Sequence, residues 1–300
     1  LLRAKGYDTL AFHPGERTSW QRDRAYPRLG FDAYKCGDDM DVPQTFEHGY
    51  VSDESDFRQL IWELEHKEAE QPLFLFNVTI QNHGGYTAAD YPAQVTLTDA
   101  PGEYPMAEQY LTLANKTDPA FRTLVEYLED FDEPTIVVMF GDHQPSVEQG
   151  FLDRAYGVTQ DQMTMEQYMG RFYVPFVIWA NYPLPESGPE VTSLNFLGQY
   201  LLRYAGIGGT AYDNYLWQLQ TRLPAVTFAL SRMRPIFSSL RTIPASHSPA
   251  RSSKNAITSF CSIIPASPQR TWRCRSSGSR RSCSGRRRSL RPEAFRGTRS

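Results

Sequence analysis

Short apolar runs recur along the first two-thirds of the chain, and each stops at a polar turn. Thr135–Phe140 is continuously apolar and rich in β-branched residues, which reads as a buried strand. Leu73–Ile80 and Thr9–Phe12 read the same way. Tyr173–Trp179 is a further strand, and its Pro175 marks a strand start or a sheet edge. Between these runs the apolar spacing changes to that of helices. Ser52 followed by Asp53, Glu54 and Asp56 supplies a cap and early acids, and Phe57, Leu60, Ile61 and Leu64 then share one face. Residues 106–131 predict one or two helices carrying Tyr110, Leu113, Phe121, Leu124 and Leu128. Shorter helices are predicted at 164–169, 192–204 and 214–222. Residues 26–32 read as a turn-rich connection and 84–105 as a long loop. Strands alternating with helices predict an α/β fold, a mainly parallel sheet sandwiched by helices.

Charge divides the chain. Residues 1–230 carry 15 Lys and Arg against 33 Asp and Glu, a balance of −18. Residues 231–300 carry 16 Lys and Arg against Glu293 alone, a balance of +15, so the total of −3 conceals two different materials. Arg and Ser fill nearly half of the second part, a composition that cannot bury enough apolar surface to offset chain entropy. We therefore expect a globular domain over 1–222 and a disordered or out-of-frame tail over 223–300. An Arg/Ser-rich segment can bind nucleic acid, but no nucleic-acid partner is expected for an acidic domain of this kind. Three of the four cysteines lie in the tail, so no disulfide framework supports the domain. Leu1–Gly6 reads as the last turn of a helix ending in its glycine, and we expect sequence upstream of it. No apolar run approaches the ~20 residues of a membrane helix.

The strand ends carry the chemistry. Asp142 and His143 follow the strand at 135–140, His83 follows the strand at 73–80, and His13 follows the strand at 9–12. In a parallel sheet, ligands gather at the carboxyl ends of the strands. A carboxylate beside an imidazole suits a divalent metal. The plainer alternatives are an extended residue before Pro14 for His13, a solvated turn residue for His83, a loop cap or surface turn for the Asp142–His143 pair, an ion pair of Arg22 with Asp23 or Asp32, and core packing for Trp20.

Ordered blocks add to this reading: Phe12-His13, Trp20-Gln21-Arg22, Leu29–Asp32, Ser52–Ser55, Phe74–Thr79, Gln81–Gly84 and Phe140–Pro145. Together they resemble the lipoteichoic acid synthase-like branch of the sulfatase/alkaline phosphatase superfamily, over residues 1–222. The resemblance implies an alkaline phosphatase/sulfatase-like fold, truncated at its N-terminus. It implies transfer of glycerol phosphate from a phosphatidylglycerol-type lipid to a cell-envelope polymer, with Mn2+ or another divalent cation. Asp142 and His143 match metal ligands; His83 matches a catalytic histidine at the phosphate; His13, Trp20 and Arg22 match the glycerol-phosphate pocket. The implied partners are the anionic phospholipid head group, the glycerol-phosphate polymer and, through an N-terminal part not in this chain, the membrane, with the catalytic domain extracellular. The family's nucleophilic threonine and acidic metal ligand fall upstream of the first block, so the chain alone is expected to be inactive. A sulfatase or phosphodiesterase hydrolase is the alternative enzyme, and a non-catalytic fragment the alternative of another class.

Overall fold

The computed structural model describes residues 1–184 and 188–226, together with the backbone of 231–232 and 261–265. In chain order, β1 (Asp8–His13) leads to α1 (Arg22–Leu29), β2 (Ala33–Cys36) and a small hairpin of β3 (Phe46–Glu47) and β4 (Tyr50–Val51). Then follow α2 (Asp53–His66), β5 (Leu73–Asn77), α3 (Pro105–Glu129) and β6 (Thr135–Phe140). Helices α4 (Gln149–Tyr156) and α5 (Met165–Gly170) precede β7 (Phe176–Ala180), α6 (Leu194–Tyr204) and α7 (Ala211–Arg222). Three short strands close the order: β8 (Ala225–Val226), β9 (Ser231–Arg232) and β10 (Cys261–Pro265).

The main sheet has six strands in the order β2-β1-β5-β10-β6-β7. Strands β2, β1 and β5 are parallel, and β10 is antiparallel to both β5 and β6, so β5 and β6 also share a direction. β7 lies antiparallel at the edge, where Pro175 just before it costs no ladder bond. Four of the six strands, β2, β1, β5 and β6, thus share one direction in a mixed sheet. Alternation along β6 sends Val137 and Met139 to one face and Ile136 and Val138 to the other. The first face packs with Leu10, Phe12 and Leu75 against Phe57, Leu60 and Leu64 of α2 and Leu124 and Leu128 of α3. The second face packs against Leu197 and Leu201 of α6. Phe74 and Phe76, on that same face of β5, meet an aromatic group of Phe31 and Tyr26 that seats α1.

Several expectations change. The segment read as turns from residue 26 begins inside α1: Pro27 sits late in the helix, and Gly30 closes it in the left-handed conformation. Residues 105–129 form one helix despite Pro119, because packing against α2 and the sheet outweighs the local penalty. The strand predicted to run to Ile80 stops at Asn77, freeing the residues beyond it for a loop. The largest departure is β10. It falls in the segment expected to be a disordered or out-of-frame tail, yet its backbone forms a ladder in the middle of the sheet. The Ile263-Ile264 pair gives this short stretch strand propensity that its Arg/Ser-rich surroundings lack. The rest of the expected tail lies outside the described residues, apart from the pairing of β8 with β9.

Candidate active site

Strand register brings the predicted residues to one edge. Phe12 pairs with Asn77, and Asn77 and Met139 both pair with Cys261, so the ends of β1, β5 and β6 stand at one level. The loops after His13, Asn77 and Phe140 all leave from this edge. β10 separates β5 from β6, which sets the two halves of the edge roughly 10 Å apart.

The first half contains His13, Arg22 and His83. His13 is only 2% exposed, and its Nδ1 lies 2.7 Å from the Val78 carbonyl. A carbonyl can only accept, so Nδ1 carries the proton and Nε2 is bare. Burial pulls the His13 pKa down to about 4, and the neighbouring Arg22 and His83 push the same way. The ring is therefore neutral at physiological pH. Gly15 makes room for it, since a Cβ there would stand 2.6 Å from His13 Nε2. Arg22 opens α1 and donates to the Ser19 carbonyl at 3.2 Å. Its charge also reaches Tyr26 and Tyr34. Asp32, a possible ion-pair partner for Arg22 by sequence, instead pairs with Arg3 at 2.8 Å and takes the Thr9 hydroxyl. His83 is exposed at the end of a tight turn closed by its own N–H to the Ile80 carbonyl at 2.9 Å.

Trp20 does not pack in the core. It is 85% exposed, and it and Gln21 have φ of 58° and 53°, left-handed values that side-chain-bearing residues seldom adopt.

The second half is the Asp142–His143 turn after β6. The two side chains approach to 3.3 Å, between His143 Nε2 and Asp142 Oδ2. His143 Nδ1 lies 2.9 Å from the Gln144 carbonyl, which assigns a proton to Nδ1 and leaves Nε2 facing the carboxylate. A bare imidazole nitrogen and a carboxylate oxygen this close repel unless a proton or a cation lies between them. Their separation matches two ligands at ~2.1 Å from one ion. These two residues could supply two ligands to a divalent cation; among the described residues no group of three His, Cys, Asp or Glu side chains surrounds such a point. Asp142, His143, Gln144 and Tyr173 line a cavity of about 460 Å³ together with Thr192 and Ser193.

Tyr86 links the halves. Its hydroxyl donates to the Asn82 carbonyl at 2.8 Å, one residue before His83. Burial raises its pKa, and the fields of Tyr110, Asp142 and Tyr50 add to the rise.

A buried polar group beneath the His83 turn escaped the sequence reading. Asp53 is completely enclosed; it takes the Thr117 hydroxyl at 2.6 Å and bonds the Thr79 hydroxyl. Its backbone N–H donates to Gln81 Oε1 at 3.0 Å. Gln81 in turn donates to the Leu113 carbonyl at 3.1 Å, and Asn82 to Thr117 at 2.8 Å. Asp56, also enclosed, receives a hydrogen bond from Asn77. Burial lifts the Asp53 pKa to about 6 and raises that of Asp56 well above its ordinary value, with the Asp53 charge assisting. The sequence signal was the Ser52–Ser55 block, which reads equally well as a helix cap.

The fold and this edge define an α/β protein of the alkaline phosphatase/sulfatase type. The chain belongs to the sulfatase family, whose model matches residues 1–207. A protein of Rhizobium meliloti named for cyclic beta-1,2-glucan modification is 29% identical over 232 residues, covering 72% of this chain and 35% of that protein. A lipoteichoic acid synthase of Staphylococcus saprophyticus is 23% identical over 185 residues, covering 58% of this chain and 25% of that protein. The chain thus spans about a third or less of these relatives. In structure it is similar to the Streptococcus pyogenes phosphoglycerol transferase GacH, solved with sn-glycerol-1-phosphate. That match has a TM-score of 0.57 and 19% identity, covering 73% of this chain and 55% of the other, and shows likeness of fold.

Proposed function

We propose that this chain carries the recognition half of a divalent-metal-dependent phosphoglycerol transferase acting on a cell-envelope glycan or polymer. The observation that carries the reading is the shared sheet edge, with Arg22, His13 and His83 on one side and the Asp142–His143 pair on the other. Arg22 offers the planar fork that suits phosphate oxygens. His83, exposed beside it, offers an imidazole to the same phosphate, as hydrogen-bond donor or as acid to the leaving alkoxide. His13, buried and neutral, holds the ends of β1 and β5 together beneath them. Exposed Trp20 provides a flat apolar wall for the glycerol. Asp142 and His143 would hold the cation, Mn2+ or a similar ion, which polarises phosphoryl oxygens when bound.

The donor in this reading is an anionic phospholipid head group of the phosphatidylglycerol type. The acceptor is a hydroxyl of a surface glycan or glycerol-phosphate polymer, in keeping with the names of the relatives. In this reading the domain works on such a lipid at the outer face of the cell membrane. No helix of the described residues is long and apolar enough to cross a membrane, so attachment would fall to other parts of the protein.

Hydrolysis is the second reading, and membership of the sulfatase family favours it directly. Water would then replace the glycan hydroxyl. Calorimetric titration of the chain with sn-glycerol-1-phosphate and with inorganic sulfate tests both. Transfer chemistry predicts binding of the glycerol ester, weakened about tenfold in Arg22→Lys, which keeps the charge and loses the fork. Equal affinity in that variant, or preference for sulfate, would overturn the transferase reading.

A further inference from the structure

Three histidines of this edge differ in what faces their Nδ1. For His13 it is the Val78 carbonyl, and for His143 the Gln144 carbonyl. Both carbonyls demand a donor, so both rings carry a proton on Nδ1. For His83 it is the Tyr50 hydroxyl, at 3.3 Å. A hydroxyl is the one partner of the three that can donate.

We propose that Tyr50 is a positioning residue for His83: its hydroxyl donates to Nδ1 and thereby holds the proton on Nε2, turned outward as a hydrogen-bond donor to a phosphate oxygen. The proposal rests on the phosphate-recognition role given to His83 above. Phosphate oxygens at neutral pH chiefly accept, so a neutral imidazole serves them only from the nitrogen that bears hydrogen. A metal ligand needs the opposite tautomer, which is what Gln144 imposes on His143.

The placement of Tyr50 is rigid. It follows a two-residue turn, His48-Gly49, whose φ values of 54° and 83° are those of the hairpin turns that match strand twist. Its ring meets the His83 ring edge-on at 5.6 Å between centroids. Three residues later the Asp53 N–H grips Gln81, so the segment from Tyr50 to Asp53 holds the turn from Gln81 to His83 at two points. Tyr86 pins the carbonyl of Asn82 between them.

Tyr50→Phe removes the hydroxyl and keeps the ring. The ring nitrogens of His83 in the full chain, read by long-range proton–nitrogen NMR and assigned with His83→Ala, report the tautomer without any ligand. The expected result is a bare, hydrogen-bonded Nδ1 in the parent chain, with a shift of that resonance in Tyr50→Phe. A proton on Nδ1 in the parent, or an unmoved resonance in the variant, overturns the proposal. The second measurement is affinity for sn-glycerol-1-phosphate in a double-mutant cycle. Tyr50→Phe should weaken binding about two- to tenfold when His83 is present and leave the His83→Ala chain unchanged. Equal losses in both backgrounds would mean that Tyr50 does not act through His83. A parent chain that fails to bind the ester removes the transferase reading, while the ring resonances still decide the tautomer.

Discussion

Replacing Asp53 with Asn should change how stability depends on pH. In the folded chain this carboxyl is wholly enclosed and its pKa is lifted from 3.8 to about 6, chiefly by burial and against the pull of the Thr117 and Thr79 hydroxyls. Between these two values the folded state binds a proton that the unfolded state has released. Stability therefore falls as pH rises through that window and levels off above it. At ~1.4 kcal/mol for each tenfold change in proton affinity, the loss reaches about 3 kcal/mol, an upper figure for an enclosed group. His13 acts in the reverse sense over nearly the same range. Its depressed pKa of about 4 makes stability rise as pH climbs from 4 to 6.5. The parent chain alone would show a muted profile, and the difference between parent and Asp53→Asn removes the His13 contribution and reports the Asp53 carboxyl together with its coupling to Asp56. Asn retains an oxygen to accept from Thr117 and cannot ionise. Urea unfolding at intervals from pH 4 to 7.5 should show the variant gaining on the parent by up to about 3 kcal/mol as pH rises, with most of the gain complete by pH 7. A difference that stays constant across this range would refute the assignment of an ionisable, desolvated Asp53.

Trp20→Ala should leave urea stability within about 0.5 kcal/mol of the parent, since an 85% exposed ring buries little, yet weaken sn-glycerol-1-phosphate binding several-fold by calorimetry; a large stability loss would restore the core role for this ring. Mn2+ added to the chain should broaden the His143 ring resonances selectively, and Asp142→Ala should abolish the effect; broadening that survives in the variant would place the ion elsewhere.

How much of this was legible in the sequence depends on the range of each interaction. The strands at 9–12, 73–80 and 135–140 were visible because a buried parallel strand must be apolar on both faces. His13, His83 and Asp142-His143 were visible because each directly follows such a run. Side-chain partners were not. Arg22 could as well have paired with Asp32, and only the fold shows that Arg3 and Thr9 take that carboxylate. Asp53 and Asp56 read only as early acids of a capped helix, since their partners, Thr117 of α3 and Asn77 of β5, lie far away in the chain. The hairpin carrying Tyr50 has strands of two residues each, too short to show alternation, and its turn signal, a left-handed His before Gly, is weaker than Asn-Gly. β10 was hidden by its neighbours' composition.

The backbone at Trp20 and Gln21 has an implication for how this surface could be re-engineered. Two successive non-glycine residues in the left-handed region cost roughly 1–2 kcal/mol each. A chain optimised for stability alone would place Gly or Asn at both, and Trp20→Gly should raise its melting temperature. The same exchange would remove the broadest apolar side chain near the Arg22 end of the edge. Improvement of this protein by selection for thermal tolerance would thus be drawn early to residue 20, where, under the proposed role of Trp20 as a wall for the glycerol, each degree gained would come at the expense of grip on the ligand.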